Sequence, residues 1–281
     1  MRRSDRIVAV GFGLAAALLV GFVVLPLAAV FLRVAPGTLL SQLRSPVALG
    51  ALAVSLKTTS IALALILVIG TPAAYLLGTR SFRGALALET ILEVPLVLPP
   101  AVAGIALLAA FGRFGLLGGA LRVFGIRIGF TPAAVVMALT FVAMPFYVRQ
   151  AIAAFASLDG QMLAASRTLG AGDGETFLRV AIPLASQGLS AGAALAFARA
   201  LGEFGATIMF AGNFPGRTQT LPLAIYAQYS AGNLPGALAM AALLVAVSVG
   251  LLVGIKMILK ARRTKEPETW TAPSRSTSDI V

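Results

Sequence analysis

The sequence predicts an all-α polytopic membrane protein of six transmembrane helices, and three observations carry that prediction. Of 281 residues, 59% are hydrophobic and 11% are charged, with a mean hydropathy of +0.95. A water-soluble core cannot hide that much apolar surface, so the solvent for most of the chain is lipid. Six apolar stretches each approach or exceed the roughly 20 residues that a helical span needs. The second half has one long polar interruption, residues 160–183.

Taken in order, the first span covers 7–32 and follows Arg2, Arg3 and Arg6. A polar connection with Arg33, Pro36, Gly37, Ser41, Gln42 and Arg44 leads to a second span at 54–77, which Pro72 should kink near its end. Arg80 and Arg83 mark a short basic turn. The third span, 86–111, holds Pro95, Pro99 and Pro100, and a glycine-rich loop with Arg113, Arg122 and Arg127 follows it. The fourth is 132–155, the fifth 184–210 and the sixth 235–259, with 212–233 read as a loop between the last two. These spans divide the chain into a first span with its outer loop (1–48), a permease-like core (49–259) and a basic, disordered tail (260–281) rich in Ser, Thr and Pro.

Composition also excludes whole classes of chemistry. There is no Cys and no His, which removes thiol nucleophiles, disulfides, the usual zinc sites and imidazole acid–base catalysis. A formal charge of +12 would suggest nucleic acid in a soluble protein; here it is the signature of Lys and Arg flanking spans on the cytoplasmic side. The run after Arg6 is too long for a signal-peptide core and has no small-x-small cleavage site, so no cleavable signal is expected. With both termini inside, the inner segments hold 14 Lys and Arg and the outer ones 7, leaving Arg199 within the fifth span. That bias predicts cytoplasmic termini and a cytoplasmic 160–183 loop.

The loop reads GQMLAASRTLGAGDGETFLRVAIP. Met162, Leu163, Ala165 and Leu169 follow helical spacing, and Gly170, Gly172 and Gly174 stop that helix. A second short amphipathic segment with Phe177, Leu178 and Val180 runs up to Pro183. Two short helices meeting at a glycine corner make a knob for a partner to grip. Gly170–Thr176 is no phosphate loop, because it lacks the Gly-Lys-Ser/Thr ending and a preceding strand. Any ATP-driven step must therefore be powered by another subunit.

Leu163, Ala164, Ala165, Gly170, Ile182 and Pro183 give the loop its resemblance to a known family. Ala-Ala, a following glycine and a hydrophobic-x-hydrophobic-Pro ending thirteen residues beyond it resemble the cytoplasmic loop of ABC importer membrane subunits. In that family the loop is the coupling helix, which docks on the ATPase. The acidic residue that usually opens the motif is absent: Gln161, Met162 and Leu163 stand there, and the nearest acid is Asp159.

Within the third span, LEVPLVLPPAVAGIALL, three prolines remove backbone donors and should bend or break the helix. In lipid such a break persists only where protein or a water-filled cavity satisfies the freed carbonyls. A kinked element lining a translocation path and a purely structural kink both fit, with Gly104 allowing a close helix contact. Glu89 and Glu93 should face the cytoplasmic end or a partner helix. In the fifth span Arg199 and Glu203 lie four residues apart on one face. Each alone in hydrocarbon is expensive, so pairing is expected. A gating or packing role in the cytoplasmic half is favoured over cargo contact, because a permanently exposed Arg would trap an anion.

The run 198–226, ARALGEFGATIMFAGNFPGRTQTLPLAIY, is similar to the corresponding run of molybdate ABC permeases, as is the third-span Pro-Leu-Val-Leu-Pro-Pro stretch. Sulfate permeases share its Ala-Leu-Gly-Glu core. The resemblance spans about residues 50–255. It implies the ABC importer permease fold, working as a homodimer in a bacterial inner membrane with an ATP-hydrolysing ABC subunit and an extracytoplasmic molybdate-binding protein. It implies no catalytic residue, cofactor or metal in this chain, no nucleic-acid partner, and lipid as the surrounding solvent. Pore or gate candidates are Pro95, Pro99, Pro100, Gly104, Arg199, Glu203 and Thr207. Hydroxyls able to replace water around a dianion are Thr58, Thr59, Ser60, Thr140 and Thr207 by type. The outer loop 212–234, with Arg217, Thr218 and Gln219, is the candidate docking surface for the binding protein. Sulfate, thiosulfate or tungstate import is the nearest rival. An ion-driven secondary transporter is a second, and a non-transporting scaffold a weaker third.

Overall fold

The computed structural model of the chain describes residues 3–263, and the described residues form helices joined by loops. Helix α1 (Arg3–Leu32) lies largely clear of its own chain and touches it along the last helix. After the short α2 (Pro36–Leu43), α3 (Pro46–Thr79) begins eight residues ahead of the expected span. The start signal is local: the Ser45 hydroxyl accepts from the Ala48 N–H at 3.2 Å, and Pro46 occupies a position whose N–H would have no helical partner. α4 (Ala85–Val97) and α5 (Pro100–Phe111) split the third span, with a bend of 115° between them. A short α6 (Gly118–Val123) leads to α7 (Pro132–Ala156).

The polar loop is built from α8 (Gly160–Thr168), α9 (Asp173–Thr176), a π-helical turn (Phe177–Ala181) and α10 (Ile182–Leu184). α11 (Ser186–Leu201) leaves it at a bend of 76°. α12 (Gly205–Ala211), α13 (Leu221–Ser230) and α14 (Leu234–Arg263) complete the chain. Four helices are long and apolar enough to cross a membrane, and counting each bent pair as one span gives six.

Three sequence expectations change. The fifth span is not one helix over 184–210: α11 stops at Leu201 and α12 starts at Gly205. The 212–233 loop contains α13, opened by Thr220 and a proline in its first turn, a start signal hidden in a short segment. Of the tail, 260–263 are the last turn of α14 rather than a disordered tail, and 264–281 lie outside the described residues.

The core is a seam of small side chains. Ala62, Ile66 and Ala74 of α3 pack with Ala134, Ala138, Val142 and Ala151 of α7, all buried. Lipid offers no hydrophobic drive for helices to associate, so small residues that let backbones approach are what makes this packing favourable. A Thr71–Tyr147 hydroxyl pair at 2.6 Å fixes the register of the two helices. α11 packs on the same α7. A second cluster, Ala48, Ala51, Leu221, Ala224 and Met240, seats α13 between α3 and α14. There Ser55 Oγ accepts the Leu221 N–H at 2.7 Å, so α3 caps α13 from across the chain.

Candidate functional site

Two places bring the sequence-derived residues together: the knob at one end of the bundle and a seam of broken helices within it. In the knob, Asp159 caps α8, its Oδ1 accepting the Gln161 N–H at 2.8 Å. The helix ends on a left-handed glycine, Gly170, at φ 92°. The Gly170 N–H donates to the Arg167 carbonyl at 2.9 Å and the Ala171 N–H to that of Ser166 at 3.1 Å. This closure satisfies carbonyls the helix would otherwise leave unpaired, and it requires the left-handed residue. Space is open around Gly170, so the restriction there is conformational rather than steric.

Beyond the corner, Asp173 joins Arg80 at the end of α3 (2.9 Å) to Arg167 (3.2 Å), and Glu175 pairs with Arg179 at 2.6 Å. These pairs are half-exposed, so each contributes at most about 1 kcal/mol. The firmer attachment is aromatic. The Phe177 ring lies 4.9 Å from Tyr75 of α3 and 6.4 Å from Phe155 of α7, and Tyr75 meets Phe155 edge-on at 5.3 Å. The knob is thereby packed against the ends of the two helices that form the core seam. Leu163 is turned inward, Ile182 is half-buried, and Ala164, Ala165, Gly170 and Pro183 are exposed. The knob's projecting apolar surface comes from Met162, Leu169 and Leu178, which are 54%, 89% and 63% exposed. Met162, Ala165, Leu169 and Val180 line a shallow groove of about 440 Å³ with Glu175 and Arg179 at its edge.

The seam lies between α5 and α12. Pro99 and Pro100 open α5, and a Cβ on Gly205 would sit 2.8 Å from Pro100 Cβ. A Cβ on Gly104 would lie 2.6 Å from the Ala206 carbonyl oxygen and 2.8 Å from Met209 Cβ. The two breaks are thus packed glycine against backbone. Glu203 holds the second one: its Oε1 accepts the Ala206 N–H at 2.7 Å, and its Oε2 meets Arg199 at 2.7 Å. Its side chain is 1% exposed and that of Arg199 26%. Arg199 also lies 5.9 Å over the Phe146 ring of α7. Phe146 stands just past the middle of α7 (Pro132–Ala156), in the half nearer the knob.

Pro95 is buried within α4, and Glu93 reaches Arg149 of α7 at 3.0 Å. Thr207 is fully buried beside the seam with no partner for its hydroxyl. Thr58 and Thr140 donate to the Val54 and Val136 carbonyls, Thr59 is buried, and Ser60 is exposed. In the 212–234 segment only Arg217 of the three named residues is exposed. Thr218 and Gln219 are buried, because the Thr218 hydroxyl turns inward to accept the Phe214 N–H at 3.0 Å and donate to the Gly212 carbonyl. Arg217 instead shares a groove of about 520 Å³ with Lys57 and Thr58.

A polytopic bundle with a gripping knob at one end and interrupted helices in its interior has the form of a transport-system membrane subunit. The chain belongs to the family of binding-protein-dependent transport system inner membrane components, whose model matches residues 70–265. It is accordingly a multi-pass inner membrane protein. It is 43% identical over 236 residues to the molybdenum transport system permease protein ModB of Mycobacterium tuberculosis, covering 83% of this chain and 88% of that one. To the protein of the same name from Escherichia coli it is 41% identical over 202 residues, covering 72% and 87%. The fold is similar to a chain of a bacterial alginate ABC transporter solved with an alginate-bound periplasmic protein, with a TM-score of 0.73, 13% identity, and coverage of 94% and 96%.

Proposed function

We propose that this chain is the permease subunit of an ATP-driven importer that moves molybdate inward by alternating access. The identity to proteins named for molybdenum transport, across most of both chains, is the observation that carries the substrate. Two copies would enclose the path between them, with both termini and the 160–183 knobs on the cytoplasmic side. Each knob would sit in a groove on an ATPase subunit, its projecting Met162, Leu169 and Leu178 buried there. Closure of the ATPase pair on ATP would pull the knob, and through Phe177, Tyr75 and Phe155 the ends of α3 and α7. The α5–α12 seam, with Pro95, Pro99, Pro100, Gly104, Arg199, Glu203 and Thr207, would act as the gate. An extracytoplasmic binding protein would deliver the anion near Arg217 and Lys57.

Glu203 favours this reading over an ion-driven transporter. Its carboxylate is already engaged by Arg199 and the Ala206 N–H, which leaves no free buried acid there to bind a coupling ion. The test is reconstitution with and without the ATPase and binding protein, measuring labelled molybdate uptake against sulfate, thiosulfate and tungstate. ATP-dependent molybdate uptake that sulfate does not suppress is expected. Uptake by this chain alone would overturn the proposal, and equal competition by sulfate would shift the substrate. Gly170→Val, which forces a β-branched residue into the left-handed region at about 1–2 kcal/mol, should uncouple or release the ATPase while membrane insertion persists. Gly170→Asn should retain most coupling.

A further inference from the structure

Residues 112–131, between α5 and α7, have no part in that reading. α7 is about 37 Å long, so this segment lies at the end of the bundle opposite the knob. It does not project freely. The Leu116 and Leu117 N–H groups donate to the Ala109 and Ala110 carbonyls of α5 at 2.9 Å, and the Phe130 N–H to the Phe210 carbonyl at 3.1 Å. The segment is folded back against the ends of two helices of the bundle, where a bilayer's interface must lie.

Its surface has two unusual components. Phe114, Leu116, Val123 and Phe124 are 93%, 91%, 83% and 78% exposed, in a connecting segment where water would ordinarily select polar side chains. Beside them Arg113, Arg122 and Arg127 line one cavity of about 210 Å³ together with Gly112, Gly118 and Gly129. The Arg113 guanidinium lies 5.4 Å over the Phe114 ring. No carboxylate among the described residues pairs with any of the three. None occurs anywhere in 112–131, nor in the connections 33–45 and 212–233. Among the described residues, then, these three cations have no counter-charge of their own. These three are also nearly half of the seven Lys and Arg assigned to outer segments, where cationic residues work against the tendency that orients the protein.

We propose that residues 112–131 bind the phosphate headgroup of an anionic phospholipid, with its acyl chains over Phe114, Leu116, Val123 and Phe124. A tetrahedral oxyanion at that cavity suits the three arginines that line it, since each guanidinium is able to form paired hydrogen bonds. A free, hydrated oxyanion gains nothing from the four apolar side chains, whereas a lipid satisfies both components at once. The inference stands independently of the transported substrate.

The test uses the full chain purified in a neutral detergent, titrated with phosphatidylglycerol, phosphatidylcholine, or inorganic phosphate or molybdate alone, and read by native mass spectrometry and thermal unfolding. Selective retention of phosphatidylglycerol with a rise in Tm is expected, and the triple variant R113Q/R122Q/R127Q should bind it at least tenfold more weakly. Arg122→Gln alone, the fallback should the triple variant fail to insert, should weaken binding several-fold, and Arg122→Lys should restore part of it. Three results would each overturn the proposal. One is equal retention of the two lipids. Another is displacement of the lipid by inorganic phosphate or molybdate. The third is a variant that holds lipid as the wild type does but no longer docks the extracytoplasmic protein.

Discussion

The third and fifth spans are both interrupted, but by different chemistry. Between α4 and α5 the chain turns by 115° because Pro99 and Pro100 supply no N–H and push the residues before them, Leu98 and Pro99, to extended ψ values of 131° and 134°. Between α11 and α12 no proline is present. Gly202 ends one helix, and Glu203 spends its carboxylate on the first turn of the next. The first break is enforced by covalent structure and would persist in isolation. The second is held by non-covalent bonds that a neighbour can loosen. The stiff break and the one that can rearrange pack together through Gly104 and Gly205.

That asymmetry ranks the consequences of mutation. Glu203→Ala should be the most damaging single change. It uncaps α12 and leaves Arg199, three-quarters buried, without its counter-charge. Breaking a buried pair costs about 3–5 kcal/mol, and the residual exposure of Arg199 puts this case at about 3 kcal/mol. The measurements are thermal unfolding of the purified protein and uptake in vesicles; a change below about 1 kcal/mol with normal uptake would reduce the pair to a bystander. Glu203→Gln keeps an acceptor for the Ala206 N–H and should fall between Ala and wild type. Gly104→Val comes next. Its side chain would meet the Ala206 backbone, which cannot yield as a flexible side chain would, and overpacking of this kind costs about 1–3 kcal/mol. Cysteine pairs across α5 and α12 should crosslink less readily in that variant.

What the sequence made legible follows the same division. Proline is a local, covalent signal, so the third-span break can be read from three letters. The 203 break cannot, because a buried glutamate in an apolar run signals a partner without saying that the partner includes the backbone three residues on. The spans were legible as apolar runs, and the knob as two short helices around Gly170. Its attachment was not: Arg80 and Asp173 are 93 residues apart, and the Tyr75–Phe155–Phe177 cluster joins three elements that share no local pattern. The early start of α3 was available in Ser45-Pro46, a cap followed by proline, but the apolar run that sets a span begins later. Thr218 and Gln219 looked like surface by residue type. Their burial depends on the Phe214 N–H and Gly212 carbonyl that the turn brings to Thr218, which only the folded loop reveals.

The smallest expected effect is the sharpest test of the contrast. Pro99→Ala restores an N–H but leaves Pro100 at the head of α5 and Leu98 extended before it, at ψ 131°. Proline at the following position still disfavours helix at residue 99, so the two helices should not fuse. The expected loss is about 0.5–1 kcal/mol, arising mostly from greater freedom in the unfolded chain, with the bend measured between spin labels on α4 and α5 nearly unchanged. Pro99→Ala/Pro100→Ala removes both constraints, and only then should the inter-label distance lengthen toward that of a continuous helix. If the single substitution already straightens the span, the third break is as pliable as the fifth. The seam then has no stiff side against which Glu203 and Arg199 could work.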